Sequence, residues 1–207
     1  MIIEHTKKLV FIATPKTATT SIEAALLKTS LVSHMAGPLK HITFEDYLKL
    51  KVALQLDEYI SWAVIRHPRE KFISWFRYRS RAELKGHHRY LGHLTLSEHI
   101  QTCDQEFIDS CDSREHIEAK GKRSDIIFRH EEFAEVKKFM ALIYPDISIK
   151  KLNASPGTKD FSPELLKQID GLLEEQINWY ESIETDTCDS ASAALQAAQR
   201  EAVSSLA

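Results

Sequence analysis

Glycine is scarce in this chain, six in 207 residues, so a collagen-like repeat is excluded. Cysteine is scarcer still. Cys103, Cys111 and Cys188 are an odd set with no C-x-x-C pair, which excludes a disulfide framework and suits reduced thiols in a cytoplasmic protein. Charge of one sign barely exceeds the other, with 27 Lys and Arg against 30 Asp and Glu, and a net of −3 argues against a nucleic-acid coat. No apolar run approaches the roughly 20 residues that cross a bilayer. The opening Met1-Ile2-Ile3-Glu4-His5-Thr6-Lys7-Lys8 reverses the order of a signal peptide, so export is not expected, and the sequon Asn153-Ala154-Ser155 carries no weight.

What remains is an ordinary globular composition, 43% hydrophobic and 28% charged, of a length for one domain with an appendage. The expected boundaries are a domain over residues 1–184 and an Ala/Ser-rich tail over 185–207. Charge is unevenly spread. Arg66 to His93 holds eight Lys and Arg against two Glu, whereas the stretch from Glu164 onward holds nine acids against Lys167 and Arg200. A basic stretch in a slightly acidic protein suggests a site for an anion, and a solvated helix face is the plain alternative.

Leu9–Thr14, Tyr59–Arg66 and Asp125–Arg129 read as buried strands, and Ile147–Leu152 alternates like a half-buried one. Helices are expected after Thr20 or Ser21 as cap, from Pro68 through Arg81, over Glu131–Tyr144, and from Pro163 through Tyr180 as one apolar stripe. Strands alternating with helices imply an α/β fold, a central parallel sheet flanked by helices in three layers. Ligands in such sheets sit beyond the carboxyl ends of the strands, so the loops after Thr14 and Arg66 are where chemistry is sought.

The first loop is Pro15-Lys16-Thr17-Ala18-Thr19-Thr20-Ser21. A strand feeding a hydroxyl-rich turn and then a helix aims backbone N–H groups, hydroxyls and one lysine at a single point, which suits phosphate or sulfate. It lacks the glycines of a Walker loop, and its lysine precedes the turn. The second loop, Arg66-His67-Pro68 onward to Ser74, offers an arginine fork and a hydroxyl two helical turns later, a grip for a phosphate monoester.

Together the loops resemble those of sulfotransferases that use 3′-phosphoadenosine 5′-phosphosulfate (PAPS). Pro15 to Ser21 is similar to their 5′-phosphosulfate loop, PK[TSA]-x-x-T-[SW], and Arg66 to Ser74 to their 3′-phosphate motif, R-[DN]-P-x5-S. Weaker similarity runs through Lys40-His41-Ile42-Thr43-Phe44, Phe128-Arg129-His130-Glu131-Glu132-Phe133 and Leu152-Asn153-Ala154-Ser155, so that roughly residues 9–183 are covered. The branch resembled is the carbohydrate, membrane-sulfotransferase-like one with its soluble bacterial members. The resemblance implies a P-loop-like sulfotransferase fold and transfer of a sulfuryl group from PAPS to a hydroxyl of a carbohydrate or small molecule, releasing 3′-phosphoadenosine 5′-phosphate (PAP). It implies no metal. Pro15, Lys16, Thr17, Ala18, Thr19, Thr20 and Ser21 would hold the 5′ end and Arg66 and Ser74 the 3′-phosphate. Departures are His67 for Asp or Asn, no glycine in the first loop, Gln176 where Asp is usual, and no R-K-G closing segment. Gly157-Thr158-Lys159 is its nearest stand-in, which makes Lys159 a cofactor candidate.

Lys16 suits the charge that develops on the leaving phosphate, and a histidine near neutrality suits the acceptor proton. His41 occupies the position of the catalytic histidine in an H-[VI]-[ST]-F context, with Leu39 where an H-x-H pair would put another. His34 and Glu23 are the other base candidates. His87, His88 and His93 lack the spacing of a metal site. Arg77, Arg79, Arg81, Lys85 and Arg89 could face an anionic acceptor or solvent. Trp62, Phe72, Trp75 and Phe76 read as core. Two other functions remain open from the residues: a nucleotide-dependent phosphoryl transferase, and a non-catalytic nucleotide- or polyanion-binding module. Neither nucleic acid nor a membrane is an expected partner.

Overall fold

A computed structural model describes residues 1–150, 152 and 161–204. In chain order the elements begin with β1 (Ile2–Glu4), β2 (Leu9–Ile12), α1 (Thr19–Leu26), β3 (Val32–His34), α2 (Phe44–Ala53) and β4 (Ile60–Ile65). Then come α3 (Pro68–Arg79), α4 (Leu96–Thr102), α5 (Gln105–Asp109), α6 (Arg114–Ile117), β5 (Glu118–Ala119), β6 (Lys122–Arg123) and β7 (Ile126–Arg129). The chain continues with α7 (Phe133–Ile143), α8 (Pro163–Leu172), α9 (Glu174–Ser182) and α10 (Cys188–Ser204). Two compact units result: Met1–Ile65 with Ser113–Leu152 and Glu184–Ala207, and Arg66–Asp112 with Asn153–Ile183.

The first unit is built on a five-stranded sheet of order β3-β1-β2-β4-β7. β2, β4 and β7 run parallel, with Phe11 opposite Trp62 and Val64 opposite Phe128. The central strands are thus parallel as expected, and the sheet is extended at one side by β1, which pairs antiparallel with both β2 and β3. The reason is local: the short turn from His5 to Lys8 reverses the chain, and Lys8 takes the left-handed conformation (φ 54°) to close it. All six residues of β4 are buried, as a strand covered on both faces requires. Trp62 anchors the core against Phe11, Phe128 and Phe139, at 4.5, 6.3 and 5.7 Å between ring centres. Each such fully buried aromatic side chain contributes roughly 1.5–3 kcal/mol of hydrophobic stabilisation.

Two further corrections fall in this unit. Residues 147–150 form no strand; Ile147 and Ile149 pack on the core while Ser148 and Lys150 face out, so the alternation marks burial without a ladder. The Ala/Ser-rich segment forms α10, whose Ala191 and Leu195 enter the core, and Asp186 exchanges two backbone-directed bonds with Ile127 of β7.

The second unit is helical. Phe72 and Ile73 of α3, Ile100 of α4, Phe107 of α5, Cys111, Ile169 of α8 and Leu173 form its core. The single helix expected from Pro163 is instead two, broken at Leu173 (φ −113°, ψ 20°) just after Gly171, the poorest helix former in the interior of the run. Among the described residues no helix is long and apolar enough to cross a membrane.

Candidate active site

β2 and β4 are parallel neighbours, so the chain leaves both at the same end of the sheet. Thr14 ties these exits together, donating its hydroxyl to the Val64 carbonyl. The next residues form the lysine-bearing loop. Lys16 (φ 66°) and Ala18 (φ 63°) both adopt the left-handed conformation, unusual for side chains with a Cβ, on either side of Thr17. Strain of this kind collects at functional turns.

The cap expected from Thr20 or Ser21 is corrected. α1 starts at Thr19 with Ala18 at the cap position, so among the described residues no side chain caps it. Its opening amides therefore keep the positive end of the helix available to an anion. The loop hydroxyls do not all point one way. Thr17 is buried, and its one hydroxyl proton goes to the Thr14 carbonyl at 2.9 Å. Ser21 is buried and its oxygen accepts from the Leu152 amide at 2.9 Å, which leaves its proton for another partner. Thr19 is buried, Thr20 exposed, and Pro15, Lys16 and Ala18 half-buried.

His41 is fastened to the start of this loop. Its Nδ1 lies 2.5 Å from the carbonyl oxygen of Ala13, the residue that follows β2. A carbonyl only accepts, so Nδ1 carries the hydrogen and the neutral ring keeps its lone pair on Nε2. Burial is the first cause that lowers the His41 pKa from 6.5, and the charges of Lys40 and His116 push the same way. The ring is therefore held toward its neutral form. The other two base candidates stand close by: Glu23 is buried on α1, 2.8 Å from Lys40 Nζ and 4.0 Å from His34 Nε2. Buried His116 bonds the Ile42 carbonyl through Nδ1 at 3.0 Å, holding the residue after His41. The sequence does not announce these contacts of Lys40 and His116, because their partners are distant in sequence.

In the helical unit, His67 caps α3: its Nδ1 accepts from the Arg69 amide at 3.3 Å. This is the work of an Asp or Asn at a helix start, so the departure from the motif keeps its structural function. Arg66, before the cap, is mostly buried and lies 3.6 Å from Glu70, and Ser74 is half-buried on α3. Of the basic run, Arg77 lies over Phe161, Arg79 over Trp75 and Phe107, and Arg81 over Tyr78, while Arg89 pairs with Glu106. Their stems and charges are thus largely engaged within the unit. Lys159 lies outside the described residues. Among those described, no group of three His, Cys, Asp or Glu could hold a metal ion.

The model of the Sulfotransferase family matches residues 1–140, two thirds of the chain, including both loops and His41. No curated protein and no solved structure matches the chain.

Proposed function

The chain belongs to the sulfotransferase family, and on that footing we propose that it moves the sulfuryl group of PAPS to an acceptor hydroxyl and releases PAP. Sulfuryl transfer in general follows from the family; donor, acceptor and residue roles are the proposal. The observation that carries it is the His41–Ala13 bond, which leaves Nε2 as a neutral base anchored at the entrance to the Lys16 loop.

In the proposed reaction the acceptor oxygen attacks sulfur, its proton passes to His41 Nε2, and the bond from sulfur to the bridging phosphate oxygen breaks. Lys16 and the uncapped start of α1 stabilise the negative charge that grows on that oxygen. Thr19, Thr20 and Ser21 supply hydroxyls to the same end, while Thr17 acts through its backbone because its proton is committed to Thr14. Pro15 and Ala18 shape the turn. Arg66 and Ser74 hold the 3′-phosphate, with Lys159 as a further cofactor contact, and these roles rest on the motif alone. The acceptor is a carbohydrate or small-molecule hydroxyl, the carbohydrate being an anionic one.

Thermal unfolding with PAP and with 5′-AMP tests the donor assignment. PAP is expected to stabilise more, because only it offers a phosphate to Arg66 and Ser74; at a hundred times its Kd the gain is about 2.7 kcal/mol. Equal shifts from both nucleotides would remove the second motif from the site. ATP with Mg²⁺ giving the larger shift would favour a phosphoryl transferase instead.

A further inference from the structure

Glu23 lies on the buried side of α1, only 5% exposed. One carboxylate oxygen is taken by Lys40; the other is buried without a hydrogen bond, 4.0 Å from His34. Glu23 is buried and Lys40 half-buried, and such an ion pair adds little stability compared with apolar side chains of the same size, so it is better explained by what it holds in place. Lys40 is the covalent neighbour of His41. The pair fixes residue 40 to α1, and the imidazole fixes residue 41 to the end of β2. α1 and β2 are the two elements that bracket the Lys16 loop.

From this geometry we infer that the Glu23–Lys40 pair is a positioning device that sets His41 against the Lys16 loop, and that Glu23 is not itself the proton acceptor. The inference rests on the reading of His41 as base. A carboxylate that is buried and held by an ammonium is poorly placed to accept a proton from a substrate, whereas the His41 ring is half-exposed with one nitrogen unspent. The charged and titratable groups around the pair and the ring are Lys40, Glu23, His34, His116 and the Met1 amine.

The test compares full-length Glu23→Gln, Lys40→Met and the double variant. It reads PAP release from PAPS with hydroxyl acceptors, and the His41 titration by NMR of the ring Cε1–H. Each single variant is expected to lose turnover by about tenfold, and the double variant to lose no more than the worse single one, because the two residues act as a unit. The His41 midpoint should fall in Glu23→Gln, which removes a negative neighbour, and rise in Lys40→Met, which removes a positive one. A general loss of structure would not move it in opposite directions. Should Glu23→Gln not fold, Lys40→Met and the neutral double variant still decide the matter. Additive losses, an unmoved His41 titration, or abolished turnover in Glu23→Gln beside a silent Lys40→Met would overturn the inference. Failure of the underlying reading would show elsewhere, as native turnover in His41→Ala.

Discussion

His41 in the sheet unit and His99 in the helical unit are both driven toward the neutral form, and burial is the first cause in each. Their surroundings differ. His41 donates from one nitrogen to a backbone carbonyl and stays half-exposed. His99 is 3% exposed, packed among Phe72, Phe76 and Phe107 at ring distances of 5.5, 5.4 and 4.4 Å, and its Nε2 is buried without a hydrogen bond. Its pKa falls to about 4, with the positive Arg79 the second cause. A depressed pKa is therefore no mark of chemistry by itself. What separates the two is a fixed tautomer with an accessible lone pair in one case and an aromatic cage in the other. The same cage holds Cys111, whose thiol is pushed up to about 12 by burial and is inert as a nucleophile.

The sheet unit should respond to substitution through turnover. In the proposed mechanism Lys16→Ala would remove the charge at the leaving oxygen, and it is expected to raise the barrier by about 3 kcal/mol, a loss of somewhat over a hundredfold, with a smaller effect on PAP affinity. His41→Ala should lower turnover by ~10²-fold and leave PAP binding nearly intact. Wild-type activity should rise with pH through a midpoint below 6.5, because the base works unprotonated and burial lowers its pKa. Steady-state kinetics between pH 5 and 8 check this, and an unchanged limb in His41→Ala would move the base elsewhere.

The helical unit should respond through stability. Folded His99 stays neutral down to about pH 4, while the unfolded chain takes up a proton near 6.5. Between those values the unfolded state binds more protons, so stability is full above pH 6.5 and is lost as pH falls toward 4, by at most about 1.4 kcal/mol per pH unit for this group. His99→Leu should flatten that part of the denaturation profile and leave turnover at pH 7.5 unchanged. Urea melts at four pH values measure it, and identical slopes in both proteins would defeat the account. His41 contributes in the same direction in both proteins, so the difference isolates His99.

How much of this is legible in the sequence follows from where each signal is encoded. β4 and α3 are, because a continuous apolar run is stopped by His67-Pro68. β1 is not: three residues are too few for any period, and only pairing with β2 and β3 makes them a strand. Ile147 to Lys150 misleads because alternation reports burial, here of Ile147 and Ile149, whatever covers the buried side. Residue types and loop positions are enough to single out Lys16 and His41 as candidates in the sheet unit and Arg66 and Ser74 in the helical unit. Glu23–Lys40 and His116–Ile42 join segments that only the folded sheet unit brings together, and no local pattern announces them.

The smallest expected effect concerns His67, where motif and structure can be separated. As the α3 cap it satisfies one of the first-turn amides, and His67→Ala should cost about 1 kcal/mol, lowering Tm by a few degrees in a chain of this size. Asn accepts the same bond from a shorter side chain and is a preferred cap, so His67→Asn should melt close to the wild type although it removes the ring that packs edge-on against Tyr180 at 5.1 Å. If Asn and Ala melt alike, the ring contact matters and the cap does not. The departure from the Asp or Asn of the motif would then be a packing feature of the helical unit rather than a capping bond supplied by a different side chain.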